Sequence, residues 1–231
     1  DAGRCAPWAH VQCDIPVASH VDRLFGFVRE TRRRCKVCKS AAVRSWFARE
    51  TFWRLYPEHV DGGPQTVSEM YMASCGPQTE ELECPVCKVT TEHVCQSRMM
   101  TFPNVLLVQV VRQPGPRVPV DVEEQLELAG GFPMELAGVV YHYGRTMKSG
   151  HYTCACRGPG GKYWFYDDAR PVACLPKAVA QTKPREVCFL AYCRRDGCAE
   201  WQAGSGVQGE RHETDIATGS GGGADVCGGS G

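Results

Sequence analysis

Two pairs of cysteines with the spacing C-x-x-C are the most chemically specific feature of this 231-residue chain. The first pair is Cys35 and Cys38, and the second pair is Cys84 and Cys87. Each pair can present two sulfurs on one tight turn, and a structural zinc ion takes four ligands in a tetrahedron. The two pairs therefore predict one zinc site with four thiolates. Because 45 residues separate the pairs, more than in a short zinc ribbon, the segment between them must form an insertion.

Two alternatives to zinc remain open for these cysteines. A redox dithiol has the same spacing, but it is expected as a single pair next to a βαβ pattern. Two unrelated pairs in a cysteine-rich chain are the other alternative. The total of 15 cysteines is odd, so complete internal disulfide pairing is excluded. Reduced thiols that bind metal are typical of the cytosol or nucleus, and the sequence predicts this localisation.

A second candidate site lies on a predicted β-hairpin. The segments 151–157 and 162–166 are strand-like, and the glycine-rich run at 158–161 between them is typical of a turn. His151 stands at the open end of this hairpin, and two consecutive carboxylates, Asp167 and Asp168, follow its second strand. The hairpin therefore predicts that an imidazole and a carboxylate meet at the same end.

The pairing of the two strands determines which carboxylate faces the histidine. If Arg157 pairs with Lys162, then His151 lies beside Asp168, and Asp167 is one position away. Opposed side chains in an antiparallel sheet have Cβ atoms about 5 Å apart, within reach of an imidazole. A carboxylate that orients a histidine is the base half of a nucleophilic site. A bulge could shift the pairing by one residue, and an ordinary surface contact is the alternative to catalysis.

The apolar pattern predicts an α+β fold whose second half is mostly antiparallel sheet. The nearly continuous apolar run Val105–Val111 predicts a strand that is buried on both faces. Thr66–Ala73 is a helix candidate, and the alternation around Phe25 and Phe27 favours a strand. Further strands are predicted at 118–122, 136–143 and 187–193.

Charge and composition exclude several classes of protein. The 26 basic and 26 acidic residues cancel, which argues against a chain that coats nucleic acid. The charge is nevertheless segregated, because residues 23–54 contain ten basic and two acidic residues, whereas residues 58–92 contain seven acidic residues and one basic residue. No apolar run approaches the roughly 18 residues of a transmembrane helix. From Ala203 onward, 10 of 29 residues are glycine, and the segment 197–231 is predicted to be a disordered tail.

The residues around His151 resemble those of the ubiquitin-specific proteases, a family of papain-like cysteine peptidases that remove ubiquitin from proteins. Three segments carry the resemblance: Ser149-Gly150-His151-Tyr152-Thr153, then Trp164-Phe165-Tyr166-Asp167-Asp168, then Phe189-Leu190-Ala191-Tyr192-Cys193-Arg194-Arg195. Upstream, the family order continues with Leu24-Phe25-Gly26, the two cysteine pairs and the strand Val105–Gln113. The resemblance covers roughly residues 20–196.

The resemblance implies roles for individual residues. His151 matches the general base, Asp167 matches the third member of the catalytic triad, and Asp168 matches the carboxylate that supports the polar network. Tyr143–Gly150 is similar to a loop beside the channel for the ubiquitin tail, with glycines at its hinges.

The resemblance also implies an architecture and a partner. Zinc-binding fingers are expected at about 30–100 and a β-sheet palm at about 101–196. The partner is ubiquitin, whose basic surface could contact the acidic run at 80–83, although a charge run is more often a solvated face.

One family motif is missing from the sequence. The family has a G-x-x-N-x-G-N-T-C-Y/F box around its nucleophilic cysteine, but the single Asn of this chain is Asn104, and neither Cys5 nor Cys13 has that context. We therefore expect a partial catalytic domain at 20–196 that lacks most of the helical thumb, with residues 1–19 as a remnant or linker. Such a chain is expected not to hydrolyse ubiquitin conjugates unaided. The alternatives are an inactive relative that binds ubiquitin and a zinc ribbon that binds nucleic acid.

Overall fold

In a computed structural model of the chain, the described residues are 19–38, 44–58, 63–112, 115–128, 132–146, 149–170, 173–175 and 183–195. Strands account for most of them, in agreement with the predicted α+β class. The elements are, in chain order, α1 (His20–Phe25), β1 (Phe27–Cys35), β2 (Arg44–Glu50), β3 (Phe52–Leu55), β4 (Gln65–Thr66), α2 (Val67–Cys75), β5 (Gln78–Glu83), β6 (Thr90–Met99), β7 (Val105–Val110), β8 (Val120–Asp121), β9 (Gln125–Leu128), β10 (Phe132–Thr146), β11 (Ser149–Arg157), β12 (Tyr163–Tyr166), β13 (Ala173–Leu175) and β14 (Val187–Arg194).

Two large sheets contain the two candidate sites. The four-stranded antiparallel sheet has the order β2-β1-β6-β5, and we call it the finger sheet. The larger sheet has the order β13-β12-β11-β10-β14-β7-β3, with β9 paired to β10, and we call it the palm sheet. Its neighbouring strands are antiparallel, apart from the parallel pair of β3 and β7. The short strands β4 and β8 form a separate parallel pair.

The hydrophobic core lies on one face of the palm sheet. Tyr141, Leu190 and Tyr192 are all at most 1% exposed there, and burying each such side chain stabilises the fold by about 1.5–3 kcal/mol. In β7, Leu106, Val108 and Val110 are buried, whereas the residues between them are partly exposed. The expectation that this strand is buried on both faces is therefore wrong. An antiparallel sheet that packs its core on one face produces this alternation.

Part of the segment between the two cysteine pairs belongs to the palm. Strand β3 pairs with β7, and the ring of its Trp53 lies 5.3 Å from the ring of Tyr71 in α2. The predicted helix is confirmed: Thr66 caps it, and Glu69 completes a capping box by binding the backbone of Thr66. The range expected for the fingers, about 30–100, thus contains two elements that pack against the palm core.

The strand expected around Phe25 and Phe27 is present from Phe27 onward, whereas Phe25 belongs to a short helix. Ser19 accepts a hydrogen bond from the backbone of Asp22 and begins the short helix α1, which ends at Phe25. The strand β1 begins at Phe27, after Gly26. Neither described helix is long and apolar enough to cross a membrane. The N-terminal remnant expected at 1–19 and the tail expected at 197–231 lie outside the described residues, apart from Ser19.

Candidate active site and metal centre

The predicted hairpin forms, but its strand pairing differs by one residue from the expected one. Arg157 pairs with Tyr163 rather than with Lys162. The connection is a turn of 3-10 helix at Pro159–Gly161, in which Gly160 and Gly161 both have φ near +71°. Glycine adopts this left-handed conformation without steric cost, and the connection includes residues 158–162, one residue more than the expected turn at 158–161, so the register shifts by one.

The turn that follows β12 brings the carboxylates to the histidine. Because β12 ends at Tyr166, Asp167 and Asp168 lie in a turn closed by a hydrogen bond of 3.0 Å from the backbone N–H of Arg170 to the carbonyl of Asp167. Asp167 Oδ1 binds Nε2 of His151, and Asp168 Oδ2 lies 3.6 Å from its Nδ1. Asp168 has φ of +48°, which aspartate tolerates better than most residues. The structure thus brings all three predicted residues together.

The two carboxylates differ in exposure and in partners. The side chain of Asp167 is 12% exposed, and its Oδ2 accepts a hydrogen bond of 2.7 Å from Arg170. The hydrogen bond from His151 lowers the pKa of Asp167, partial desolvation opposes this effect, and the positive charges of Arg170 and Lys183 lower the pKa further. Asp167 is therefore held as an anion. The side chain of Asp168 is 78% exposed and makes the longer contact.

This arrangement selects one tautomer of the neutral His151 ring. An ionised carboxylate only accepts hydrogen bonds, so its contact with Asp167 places a hydrogen on Nε2 of the neutral ring. Nδ1 is then the nitrogen that can accept a proton. The His151 side chain is 45% exposed, so a reacting group can reach it. Together, the two residues can perform general acid–base chemistry at the surface.

Two glycines allow the strands before the histidine to approach closely. Gly150 has φ of +153°, and a Cβ atom at this position would lie 2.3 Å from the carbonyl oxygen of Tyr143. A Cβ atom at Gly144 would lie 2.3 Å from the carbonyl oxygen of Ser149. Both positions therefore require glycine, because a Cβ atom would clash with the backbone of the neighbouring strand. Tyr143 is the residue paired with His151, so this close approach sets the backbone next to the base.

Sequence reasoning missed two charged residues at this site. Arg170 binds Asp167, and its position three residues after that carboxylate in a turn could have indicated the contact. Lys183 Nζ lies 4.8 Å from the ring centre of Tyr143 and 5.2 Å from that of Phe165. Local sequence carries no signal for this second contact, because Lys183 comes from a distant segment.

Strand β11 carries two thiols, those of Cys154 and Cys156. Cys154 lies on the face of β11 opposite His151, as strand alternation predicts. That face is not the core face, because Thr153 and Ala155 on the His151 side are the buried residues. Cys154 is half-buried and Cys156 is exposed, so neither thiol belongs to the hydrophobic core.

The four predicted metal ligands lie together at one end of the finger sheet. Cys35 Sγ is 3.9 Å from Cys87 Sγ, and Cys38 Sγ is 3.7 Å from Cys84 Sγ. All four sulfurs lie within 4.8 Å of one another. Tetrahedral zinc with bonds of about 2.3 Å requires sulfurs about 3.8 Å apart, so this donor set fits the ion. The prediction that the two cysteine pairs converge is confirmed.

The surroundings of the cluster favour the thiolate at Cys84 but oppose it at Cys87, whose pKa is raised to about 12 by burial and by the neighbouring sulfurs of Cys84 and Cys35. Backbone N–H groups of Cys87 and Val86 are directed at the sulfur of Cys84 and lower its pKa. His93 is buried beside Cys84, with its Nδ1 2.9 Å from the carbonyl oxygen of Thr91. The position of His93 in β6 did not indicate in advance that its ring lies beside the cysteine cluster. A groove of about 290 Å³, lined by Arg33, Trp46, Leu82 and Val86, borders the cluster.

Two ubiquitin carboxyl-terminal hydrolases are similar in sequence to part of this chain. The chain is 29% identical over 102 residues to ubiquitin carboxyl-terminal hydrolase 10 of Saccharomyces cerevisiae, and 30% identical over 114 residues to ubiquitin carboxyl-terminal hydrolase 23 of Arabidopsis thaliana. These matches cover 37% and 44% of this chain, but only 12% and 13% of the two relatives.

A solved structure shows the same fold. It is the SAGA Ubp8/Sgf11/Sus1/Sgf73 DUB module bound to ubiquitin aldehyde, which matches with a TM-score of 0.63 at 17% identity. The match covers 79% of this chain and 44% of the chain in that structure. The ubiquitin carboxyl-terminal hydrolase family model matches residues 12–192, more than half of the sequence. The chain therefore belongs to the ubiquitin carboxyl-terminal hydrolase family.

Proposed function

We propose that this chain provides the general base and the orienting carboxylate of a thiol-dependent ubiquitin hydrolase, which removes ubiquitin from proteins. The contact between Asp167 and Nε2 of His151 at an exposed edge of the palm sheet carries this proposal. The family membership supports ubiquitin conjugates as the substrate class. The pair is the base-and-orienter half of a nucleophilic site.

In the proposed reaction, a cysteine thiolate attacks the carbonyl carbon of the terminal glycine of ubiquitin. The carbon–nitrogen bond to the substrate lysine breaks, His151 donates a proton to the leaving amine, and a thioester forms. A water molecule then attacks the thioester and gives a proton to His151. The carbon–sulfur bond breaks, which releases the ubiquitin carboxylate and restores the thiolate. Asp167 keeps the ring oriented and stabilises its positive charge.

We propose that the nucleophile lies on a polypeptide segment outside these 231 residues. The sequence contains no G-N-T-C-like box, because its single asparagine, Asn104, begins the segment that leads into β7. The thiol of Cys154 is on the opposite face of β11 from the base. The chain by itself is accordingly expected to be inactive.

We also propose that the four-cysteine cluster holds a structural zinc ion. The ligands would be Cys35, Cys38, Cys84 and Cys87. Four thiolates close the coordination sphere, so the ion would link β1 to the turn after β5 and would not activate water. Thiolate ligands require reducing surroundings, so we place the protein in the cytosol or nucleus.

The acidic strand β5 is the proposed contact for the basic surface of ubiquitin. It is an edge strand of the finger sheet, and Glu80, Glu81 and Glu83 are exposed. Arg33 lies 3.7 Å from Glu80, whereas Glu81 points to the other face of the strand. Complementary charge of this kind increases association rate and specificity.

Isothermal titration calorimetry of the whole chain with ubiquitin tests the proposal. We expect saturable binding, weakened about 3–10-fold by Glu81→Lys because a charge is reversed at the contact. The matched control is Glu127→Lys, which reverses an exposed charge on β9 of the palm sheet and should leave the affinity unchanged.

Two further measurements separate the alternatives. A fluorogenic ubiquitin substrate should give no turnover with the chain alone; turnover abolished by Cys5→Ala or Cys13→Ala would place the nucleophile inside the chain. If the chain fails to bind ubiquitin but binds DNA with strong salt dependence, the nucleic-acid alternative replaces the proposal.

A further inference from the structure

Strand β10 carries Tyr143, the residue paired with His151, and it extends beyond the end of its neighbour β14. In the palm sheet, β10 lies between β11 and β14, and its pairing with β14 ends at Tyr141 and Val187. The N–H of His142 still donates to the carbonyl of Glu186, at 2.8 Å. Beyond this point, β14 no longer provides donors for the carbonyl groups on that side of β10.

The guanidinium of Arg117 takes the place of the missing strand. Its Nη1 donates to the carbonyl of His142 at 2.5 Å, and its Nη2 donates to the carbonyl of Gly144. These two residues flank Tyr143, which pairs with His151 across β11. A planar guanidinium has several donors in a fixed geometry, so one side chain can hold two carbonyl groups along a strand edge.

Arg117 also orients the buried ring of His142. Its Nη2 lies 3.2 Å from Nδ1 of His142, and because a guanidinium only donates, Nδ1 is the acceptor and the neutral ring carries its hydrogen on Nε2. The ring is 1% exposed and lies 4.5 Å from the ring of Tyr152.

The ring of His142 in turn forms the surface on which Gly150 lies. A Cβ atom at Gly150 would be 2.5 Å from Nε2 of His142, so the backbone just before His151 packs directly on this ring. Among the described residues, Nε2 of His142 has no hydrogen-bond partner. The orientation of the His142 ring therefore depends on Arg117 and on packing. Arg117 thus acts on both backbone segments adjacent to His151, through the paired strand and through the preceding glycine.

We propose that Arg117 is a positioning residue for His151, which acts through the backbone of residues 142–144 and the ring of His142. Its importance for catalysis rests on the proposed function, whereas its effect on the geometry of His151 does not. Arg117 does not touch the reacting atoms.

Asp167 provides a reporter for this geometry that needs no enzymatic activity. Its pKa is lowered mainly by the hydrogen bond from His151, so a displaced histidine raises that pKa toward the ordinary value. Carbon-detected NMR titration of the Asp167 carboxyl group in the full chain measures it. His151→Ala gives the size of the complete effect.

We expect Arg117→Ala to raise the pKa of Asp167 by at least about half of the His151→Ala effect, and Arg117→Lys by less, because lysine keeps the charge but loses the planar array of donors. Amide exchange at Tyr143 and His151 should become at least about tenfold faster in Arg117→Ala. Arg185→Ala is the control, because it removes an exposed guanidinium that donates to the carbonyl of Arg117 over 3.4 Å.

Loss of stability without a change in the Asp167 pKa would overturn the proposal, because a merely structural arginine gives that result. If Arg117→Ala does not fold, Arg117→Lys decides, and a pKa equal to that of the wild-type chain contradicts the proposal. Ubiquitin binding is measured on the same samples. Its absence in the wild-type chain contradicts the proposed function and leaves the result on Arg117 standing.

Discussion

Asp168 Oδ2 lies 3.6 Å from Nδ1 of His151, the ring nitrogen opposite the one that Asp167 binds. Two consecutive carboxylates therefore flank a single imidazole. Asp167 is held by Arg170 and is largely buried, whereas Asp168 is 78% exposed and reaches the nitrogen that must accept a proton. The two residues are expected to have different roles although they are adjacent in the sequence and chemically identical.

Substitution of the two aspartates in an enzyme that contains the nucleophile should have unequal effects on kcat. Asp167→Asn is expected to lower kcat by about 10²–10⁴-fold, because the amide no longer selects the ring form with hydrogen on Nε2 or stabilises its positive charge. Asp168→Asn keeps the shape of an exposed side chain and is expected to change kcat by less than about tenfold.

Steady-state kinetics with a ubiquitin conjugate measures this difference, with KM as a check that substrate binding is unchanged. Equal losses in the two variants would contradict the assignment of Asp167 as the orienting residue. A larger loss in Asp168→Asn would exchange the two roles.

Asp167 should also make the stability of the chain depend on pH in acid. Its pKa is lower in the folded chain than its ordinary value of about 4, so its stabilising effect is complete above that value and is lost as pH falls through the folded pKa. The difference in free energy of unfolding between the wild-type chain and Asp167→Asn should therefore shrink between about pH 5 and pH 2.

Urea unfolding at a series of pH values measures this effect. Asp168→Asn, which removes an exposed carboxylate next to the same histidine, is the matched control and should show a smaller change. A pH-independent difference for Asp167→Asn would mean that Asp167 has the same pKa in the folded and unfolded chain.

The cysteine cluster should bind one zinc ion for each chain. Elemental analysis of protein purified without chelator is expected to give about one zinc per chain, and Cys84→Ser should reduce it below about a tenth of that value, because a closed four-thiolate site needs all of its ligands. Cys156→Ser, which changes an exposed thiol on β11, should retain the metal.

Removal of the ion with a chelator should accelerate amide exchange in β1 and β6 of the finger sheet, and much less in β10 and β14 of the palm sheet. Retention of full zinc by Cys84→Ser would exclude the proposed ligand set. Full protection of β1 without metal would show that the finger sheet needs no zinc.

Gly150→Ala should destabilise the chain by about 2–4 kcal/mol, because the added methyl group meets the carbonyl oxygen of Tyr143 in a backbone conformation that disfavours alanine. The matched control is Gly138→Ala in β10, where a Cβ atom would lie 3.5 Å from its nearest neighbour, the carbonyl oxygen of Ala155. That variant should stay within about 0.5 kcal/mol of the wild-type chain. Chemical denaturation measures both, and equal stabilities would show that the backbone next to His151 adapts easily.

Much of the fold was predictable because its signals are local. The apolar pattern indicated β10 and β14, the glycine-rich turn indicated the hairpin of β11 and β12, and the helix candidate Thr66–Ala73 corresponds to α2. The burial of β7 was predicted incorrectly. An apolar run does not tell whether one or both faces of a strand are covered, since that depends on elements far away in the chain.

The candidate site was predictable to the level of residue identity. The cysteine spacing predicted the four ligands, and the hairpin with its family resemblance predicted His151, Asp167 and Asp168. The strand register differed by one residue, because the turn at 158–162 uses two left-handed glycines whose conformation the composition alone does not specify.

Sequence by itself therefore determined which side chains can do chemistry here, since spacing along a turn or strand constrains near neighbours strongly. Tertiary structure decided what surrounds them: Arg117 at the edge of β10 and Lys183 over the ring of Tyr143. These contacts join segments 25 and 40 residues apart in the chain. Local periodicity does not predict such contacts, because they form only when separate strands and loops pack together in one fold.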